Sequence, residues 1–194
     1  MGKLLDKFND FKKLNNFVFS YVLDNGTNIS FKISQFNFAH LIGIHKLIDL
    51  PIVGKFNNPT DYSVTSKVIN KLIRNEVITE DVLKSSSHFC EIENRYNFLT
   101  SENLLSLSFN EVIINFNRTI LRTILRSNYI FVESKNGGYL HLGIVFDGRI
   151  YVPETFFFDT TDYYKRNQTV IKIKKITITD SHNKIVLEED KING

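Results

Sequence analysis

The sequence predicts an α+β fold, with an N-terminal hairpin and helices packed on a C-terminal antiparallel meander sheet. Three observations carry that expectation. Helical spacing of apolar residues dominates the middle of the chain, and strand-like runs dominate its end after residue 128. Turn dipeptides, Asn25-Gly26, Gly137-Gly138 and Asp147-Gly148, separate the strand-like runs. No Pro-, Gly- or Ser-rich linker and no long-period repeat divides the chain.

Residues 3–13 place Leu4, Leu5, Phe8 and Phe11 on one side of an amphipathic helix. FVFSYVL (17–23) and NISFKI (28–33) read as strands joined through Asp24-Asn25-Gly26-Thr27, because Asn-Gly tolerates positive φ. Ser34 is a suitable N-cap for a helix over about 35–50, and Pro51 is expected to end it. IVGKFNNPTDYS reads as a loop. Helices are expected at 64–75, 79–86 and across 110–127, and 88–109 is mixed. YIFVES, YLHLGIVF, RIYVP, TVIKIKKITI and KIVLEE then read as five strands, with PETFFFDTTDYYKRNQ (153–168) as a connection of the kind that carries binding residues. In TVIKIKKITI, Lys175 breaks the alternation, which suggests a bulge.

The chain has 194 residues, 42% of them hydrophobic and 23% charged, values of an ordinary globular protein; disorder is expected only at the C-terminal EEDKING. A net charge of +3 does not by itself demand nucleic acid. Cys90 is the single cysteine, so no internal disulfide forms, which fits a reducing compartment. His88 lies two residues from Cys90, a spacing that does not bring helical side chains together. MGKLLDKFNDFKKL is charged and has no apolar signal region, and no apolar run reaches membrane length. A soluble cytoplasmic protein is expected.

The stretch FAHLIGIHKL (38–47) raises the main functional question. On a continuous helix, His45, Lys46 and Asp49 share one polar edge, and His45 and Asp49 are spaced to pair. His40 falls about 140° from His45, among apolar side chains and beside Gly43. That separation argues against joint metal chelation, and the i, i+4 histidines and glutamate of a zinc-protease helix are missing. No metal and no cofactor is expected. Two readings of His40 stand side by side, a hydrogen-bonded core residue or a proton-transfer group in an apolar cleft.

Basic residues form two further candidates. Arg118, Arg122 and Arg126 are spaced by four, so on a helix they line one ridge able to track phosphates, or simply face solvent. Lys165, Arg166, Lys172 and Lys174 make the densest basic region, either a platform for RNA or an exposed face that protects solubility.

FNFAHLIGIHKL resembles the signature helix of a phage-associated nuclease family, the fourth phage group of the barnase–EndoU–colicin–RelE-like superfamily. YLHLGIVF…RIYVPETFFF…YYKRNQTVIKIKKI is similar to that family's closing strands, so the resemblance spans about residues 17–179. It implies a barnase/EndoU/RelE-like fold in a single domain, 1–194, with a nuclease-like core at 17–179. Residues 1–16 would be a helical extension and 180–194 a C-terminal strand and tail. It also implies a metal-independent endoribonuclease of phage or mobile-element origin, a toxin-like hydrolase cleaving RNA by 2′-OH attack. By position it implies roles for His40, His45, Lys46, Arg95, Thr155 and Gln168: a base and an acid among the histidines, Lys46 or Arg95 at the phosphorane, and Thr155 and Gln168 at the phosphate. The implied partners are RNA, with tRNA among the candidates, and a host, antitoxin or immunity protein, in the host cytoplasm if phage-encoded. Two other classes stay open: a non-catalytic phage protein of this fold that inhibits a host defence protein or nuclease, and a nucleic-acid-binding module using the arginine ridge.

Overall fold

The computed structural model describes residues 2–55, 62–105, 109–117 and 125–191. The chain divides into two compact units, one formed by residues 1–15 and 34–104, the other by 16–33 and 105–194.

The first unit is helical. Its amphipathic α1 (Lys3–Lys12) buries Leu4, Phe8 and Phe11, and the rings of Phe8 and Phe11 each lie 5.3 Å from Phe38. Ser34 caps as expected: its hydroxyl accepts from the Phe36 N–H, while Asn37 accepts from the Ser34 N–H. The helix expected over 35–50 does not form. A short turn at Gln35–Asn37 leads into α2 (Phe38–Leu41), and after Gly43 a separate turn spans Ile44–Lys46. Pro51 opens α3 (Pro51–Gly54) instead of ending a helix, since its fixed φ suits a first helical position. α4 (Tyr62–Arg74) and α5 (Glu80–Lys84) follow, with the Thr79 hydroxyl capping α5 at the Val82 N–H. The mixed segment resolves into a turn at Phe89–Glu91, α6 (Glu93–Phe98) and α7 (Ser101–Leu105). Asp10 fastens α7 by accepting from the Ser101 N–H and hydroxyl at 2.9 and 2.7 Å.

The second unit holds eight strands: β1 (Val18–Leu23), β2 (Asn28–Lys32), β3 (Glu111–Ile114), β4 (Tyr129–Lys135), β5 (Gly138–Phe146), β6 (Tyr151–Asp159), β7 (Thr169–Thr179) and β8 (Ile185–Asp190). They are hydrogen-bonded in the order β1-β2-β6-β5-β4-β3-β7-β8, and β1 also pairs with β7. The expected meander is therefore a closed seven-strand barrel that takes in the N-terminal hairpin, with β8 added outside the ring. β2 meets β6 in parallel at Phe31 and Tyr151, while β1 runs antiparallel to β7 from Val18–Thr179 to Leu23–Ile173. Closure removes the sheet edges that a meander would leave open.

Alternation along the strands fills the barrel with Phe19, Tyr21, Phe31, Phe131, Leu142, Phe156 and Ile176. Tyr21 and Phe131 lie 4.5 Å apart, and Phe19 stacks on Phe31 at 5.1 Å. The expected irregularity in β7 is present one residue earlier than Lys175. Val22 pairs with Lys175 and Leu23 with Ile173, so Lys174 is the extra residue. The bulge lets Ile173 and Ile176, three apart, both turn inward.

Three further assignments need correction. Residues 111–114 form β3, paired to β4 and β7, where a helix across 110–127 is expected. The β-branched run Val112-Ile113-Ile114 fits a strand buried on both faces, and short apolar runs do not separate strand from helix by periodicity. β6 runs on through Thr155 to Asp159, so the connection before β7 is confined to 160–168. The acidic residues expected to be disordered, Glu188, Glu189 and Asp190, lie in β8.

Outside the barrel wall a smaller core gathers Ile113, Phe116, Ile130 and Val132 under Tyr139, Tyr164, Leu125 and Val170. His141 lies on this face, fully buried, stacked on Phe157 at 4.5 Å and 6°.

Candidate active site

Gly43 decides the geometry of the histidine segment. Its φ of 86° and ψ of 22° are left-handed, a conformation that costs any L side chain and ends α2 in the manner of a C-terminal glycine. Its N–H bonds to the His40 carbonyl at 3.0 Å, and the chain then folds back into the Ile44–Lys46 turn. The helical-wheel separation of the two histidines is overturned by this reversal. Their rings stack, with centroids 4.7 Å apart and planes inclined by 22°. The glycine also makes room for its neighbours: a Cβ there would lie 2.9 Å from Ile92 Cγ2 and 3.3 Å from Arg95 Cδ.

Two cations adjoin the pair. Burial is the main reason that the His45 pKa is held down at about 3, and His40, Arg95 and Lys46 add to it in that order. At neutral pH His45 is therefore a neutral imidazole. Burial also lowers the Lys46 ammonium, with Arg95 adding to the effect and Glu91 opposing it. The Glu91 carboxylate stands 3.7 Å from Lys46 Nζ and 2.8 Å from His88 Nδ1. The helical unit thus brings together four residues that the family resemblance implies, His40, His45, Lys46 and Arg95. It adds His88 and Glu91 at their edge.

Asp49 does not pair with His45 as the spacing suggests, because the helix on which that spacing holds is interrupted. Its carboxylate accepts from the Ser86 hydroxyl at 2.5 Å, and from the Ser87 N–H and hydroxyl at 2.8 and 3.0 Å. These bonds, the Ser86 hydroxyl first, hold the Asp49 carboxyl down at about 2. The same bonds anchor the segment that carries His88 and Glu91. His40 and His45 also line a small pocket with Ala39, Ile44, Val53, Ser66 and Ile69. Among the described residues, no three His, Cys, Asp or Glu side chains gather as a metal site.

The remaining candidates belong to the barrel unit. Thr155 is 6% exposed on β6, opposite Gly143. A Cβ at Gly143 would overlap both the Thr155 methyl and the Ser127 hydroxyl, so this glycine permits close strand packing. Beside it Glu154 is the extra residue of a bulge, since Gly143 pairs with Thr155 and Ile144 with Pro153. Its carboxylate accepts from the Arg126 N–H at 2.9 Å and the Ser127 hydroxyl at 2.5 Å. The Gln168 amide is spent on the Asn117 backbone, accepting from its N–H at 2.9 Å and donating to its carbonyl at 3.4 Å.

Lys165 is ion-paired with Glu111 and lies over the Tyr139 ring, and Arg166 pairs with Asp162 at 2.7 Å. Lys172 and Lys174 are exposed on β7. Arg118 and Arg122 lie outside the described residues. Arg126 is exposed in a non-helical segment, so it does not continue a helical ridge.

Sequence reasoning missed the His40–His45 stack and the His88–Glu91–Lys46 chain. A signal for the first was present, because a glycine soon after a short helical run is the usual mark of a C-terminal cap. The second depends on contacts between separate turns and has no local signature.

A family model described as phage-Barnase-EndoU-ColicinE5/D-RelE like nuclease 4 matches residues 3–191. No curated protein and no solved structure matches the chain.

Proposed function

We propose, from the premise that the chain belongs to the phage-Barnase-EndoU-ColicinE5/D-RelE like nuclease 4 family, that it is a metal-independent endoribonuclease working through the stacked histidines. The observation that carries this reading is the stacked His40–His45 pair, which lines a small pocket and feels the charges of Lys46 and Arg95.

Such a cluster has the parts that RNA transphosphorylation needs. A neutral imidazole accepts the proton of the ribose 2′-OH. The 2′-oxygen then forms its bond to phosphorus as the bond to the 5′-oxygen breaks, and the second imidazole, protonated, gives its proton to that leaving oxygen. The products are a 2′,3′-cyclic phosphate and a 5′-hydroxyl. Lys46 and Arg95 offset the charge that builds on the phosphorane. His45 starts as the base in this reading because its ring is neutral in the free protein, and the anionic substrate must raise its low basicity on binding. An incoming phosphate next to three positive or protonatable groups favours proton uptake on the other ring. In this reading Thr155 and Gln168 act on the barrel's packing rather than on the substrate.

The test is to incubate tRNA, rRNA and mRNA with the chain in EDTA and to identify the new ends. Cyclic phosphate ends are expected, and His45→Ala and His40→Ala should each slow cleavage by about 10²–10⁴. RNA left intact by the wild-type chain in every class would reject catalysis. Stoichiometric capture of a host defence protein in that case would favour the non-catalytic alternative.

A further inference from the structure

A second feature of the barrel unit lies far along the sequence from the histidines. Beyond Ile144, the strand face that fills the barrel continues into three aromatic rings at the β5–β6 hairpin end. Phe146 and Tyr151 are cross-strand partners, and Tyr129 is the partner of Ile144. Tyr151 lies 5.3 Å from each of the other two rings, at 57° to Phe146 and 71° to Tyr129. Phe146 is 50% exposed and the neighbouring Ile150 41%. Phe146 is held by Tyr151, itself backed by Tyr129, and its open ring face leaves apolar surface for an occupant.

The charges beside the rings identify its chemistry. Arg149 sits in the hairpin turn, and Arg126 precedes Asn128, whose side chain accepts from the Phe146 N–H at 2.8 Å. Both arginines are exposed, and among the described residues neither forms an ion pair. The nearby carboxylates are turned to the backbone: Asp147 accepts from the Arg149 and Ile150 N–H groups, Glu154 from Arg126 and Ser127. Rings for stacking, with guanidiniums free to meet phosphates, are the two parts of a single-strand nucleic-acid site.

We propose that Phe146 and Tyr151 form a base-stacking subsite for single-stranded RNA, with Arg149 and Arg126 on the adjoining phosphates. This rests on the nuclease reading, and the subsite takes strands whose bases are unpaired, because a duplex keeps its base faces covered.

Binding and cleavage are separable in the test. A short 2′-O-methyl oligouridylate has no 2′-hydroxyl to attack, so its affinity for the full chain reports the subsite alone. Wild type should bind it, and Phe146→Ala and Tyr151→Ala should each weaken binding about five- to a hundred-fold. Phe146→Tyr should retain affinity, and Phe146→Leu, which keeps apolar area without the ring, should not. Affinity for the annealed duplex should be unaltered in all of them. Arg149→Ala should reduce the salt dependence by about one released counterion. No binding by wild type, full affinity in Phe146→Ala or Phe146→Leu, or equal loss for duplex and single strand would each overturn the subsite. So would a wild-type dimer that Phe146→Ala dissolves, since the patch would then be a self-interface. Failure of the nuclease reading shows separately, as unmodified RNA left uncut by a chain that still binds the oligonucleotide.

Discussion

His141→Phe should make the protein more resistant to acid. The imidazole is fully buried among Phe157, Tyr164 and Tyr139, and its ring nitrogens have no well-formed hydrogen bond, only a weak approach to the Tyr139 backbone. Burial pulls its pKa down to about 4 from the ordinary 6.5, against opposing pulls from Asp159 and the Tyr139 backbone; Lys165 adds slightly to the lowering. The folded chain therefore holds the neutral ring where the unfolded chain binds a proton. Between pH 6.5 and about 4 the unfolded state takes up more protons, so stability falls as pH falls through that window. With each tenfold proton preference counted at 1.36 kcal/mol, the full loss by pH 4 is ~3 kcal/mol. Phenylalanine keeps the stack on Phe157 and removes the titration. Urea unfolding followed by circular dichroism, run on both chains at a series of pH values, gives the difference. The gap between variant and wild type should widen by ~3 kcal/mol from neutral pH to pH 4. Stability curves that stay parallel across the window would refute the reasoning, because the histidine would then be as easily protonated inside as outside.

Other expectations follow from the same kind of accounting. Gly43→Ala forces a left-handed alanine against Ile92 and Arg95, so a loss of ~1–3 kcal/mol is expected, together with a fall in RNA cleavage; unaltered thermal melting and activity would contradict it. Asp49→Ala removes the acceptor for three bonds to Ser86 and Ser87, and hydrogen exchange at the Ser87 amide should speed up. The Asp49 carboxyl is held at about 2, so in the wild-type chain that protection should persist above the ordinary carboxyl range and fade only as pH falls towards 2. Glu154→Ala strands the Ser127 hydroxyl and the Arg126 N–H, and should cost ~1–3 kcal/mol in a denaturant titration.

How much was legible in the residues depended on how local the cause was. The first hairpin could be read because Asn25-Gly26 and two alternating runs state it within seventeen residues of chain. The cap at Ser34, the strands β4, β5, β7 and β8, and the irregularity near Lys175 rest on equally short-range patterns. Barrel closure was not legible, since Val18 meets Thr179 and nothing in either strand names the other. β3 was misread because three β-branched apolar residues suit a buried strand and a buried helix alike. At the candidate site the residue types were visible and their arrangement was not. A single left-handed glycine turned two histidines on different helical faces into a stacked pair, and moved Asp49 from His45 to Ser86 and Ser87.

The interleaving of the two units has a consequence during synthesis. The ribosome releases the first hairpin early, yet its closing partners, Tyr151 on one side and residues 173–179 on the other, emerge more than a hundred residues later. At ~5–20 residues per second the hairpin waits on the order of ten seconds or more with both edges unpaired. The helical unit has all of its sequence by Leu104 and can fold in that interval. The barrel cannot close until β7 is out. A nascent chain arrested before β7 should therefore hold the histidine cluster while still exposing two unpaired edges.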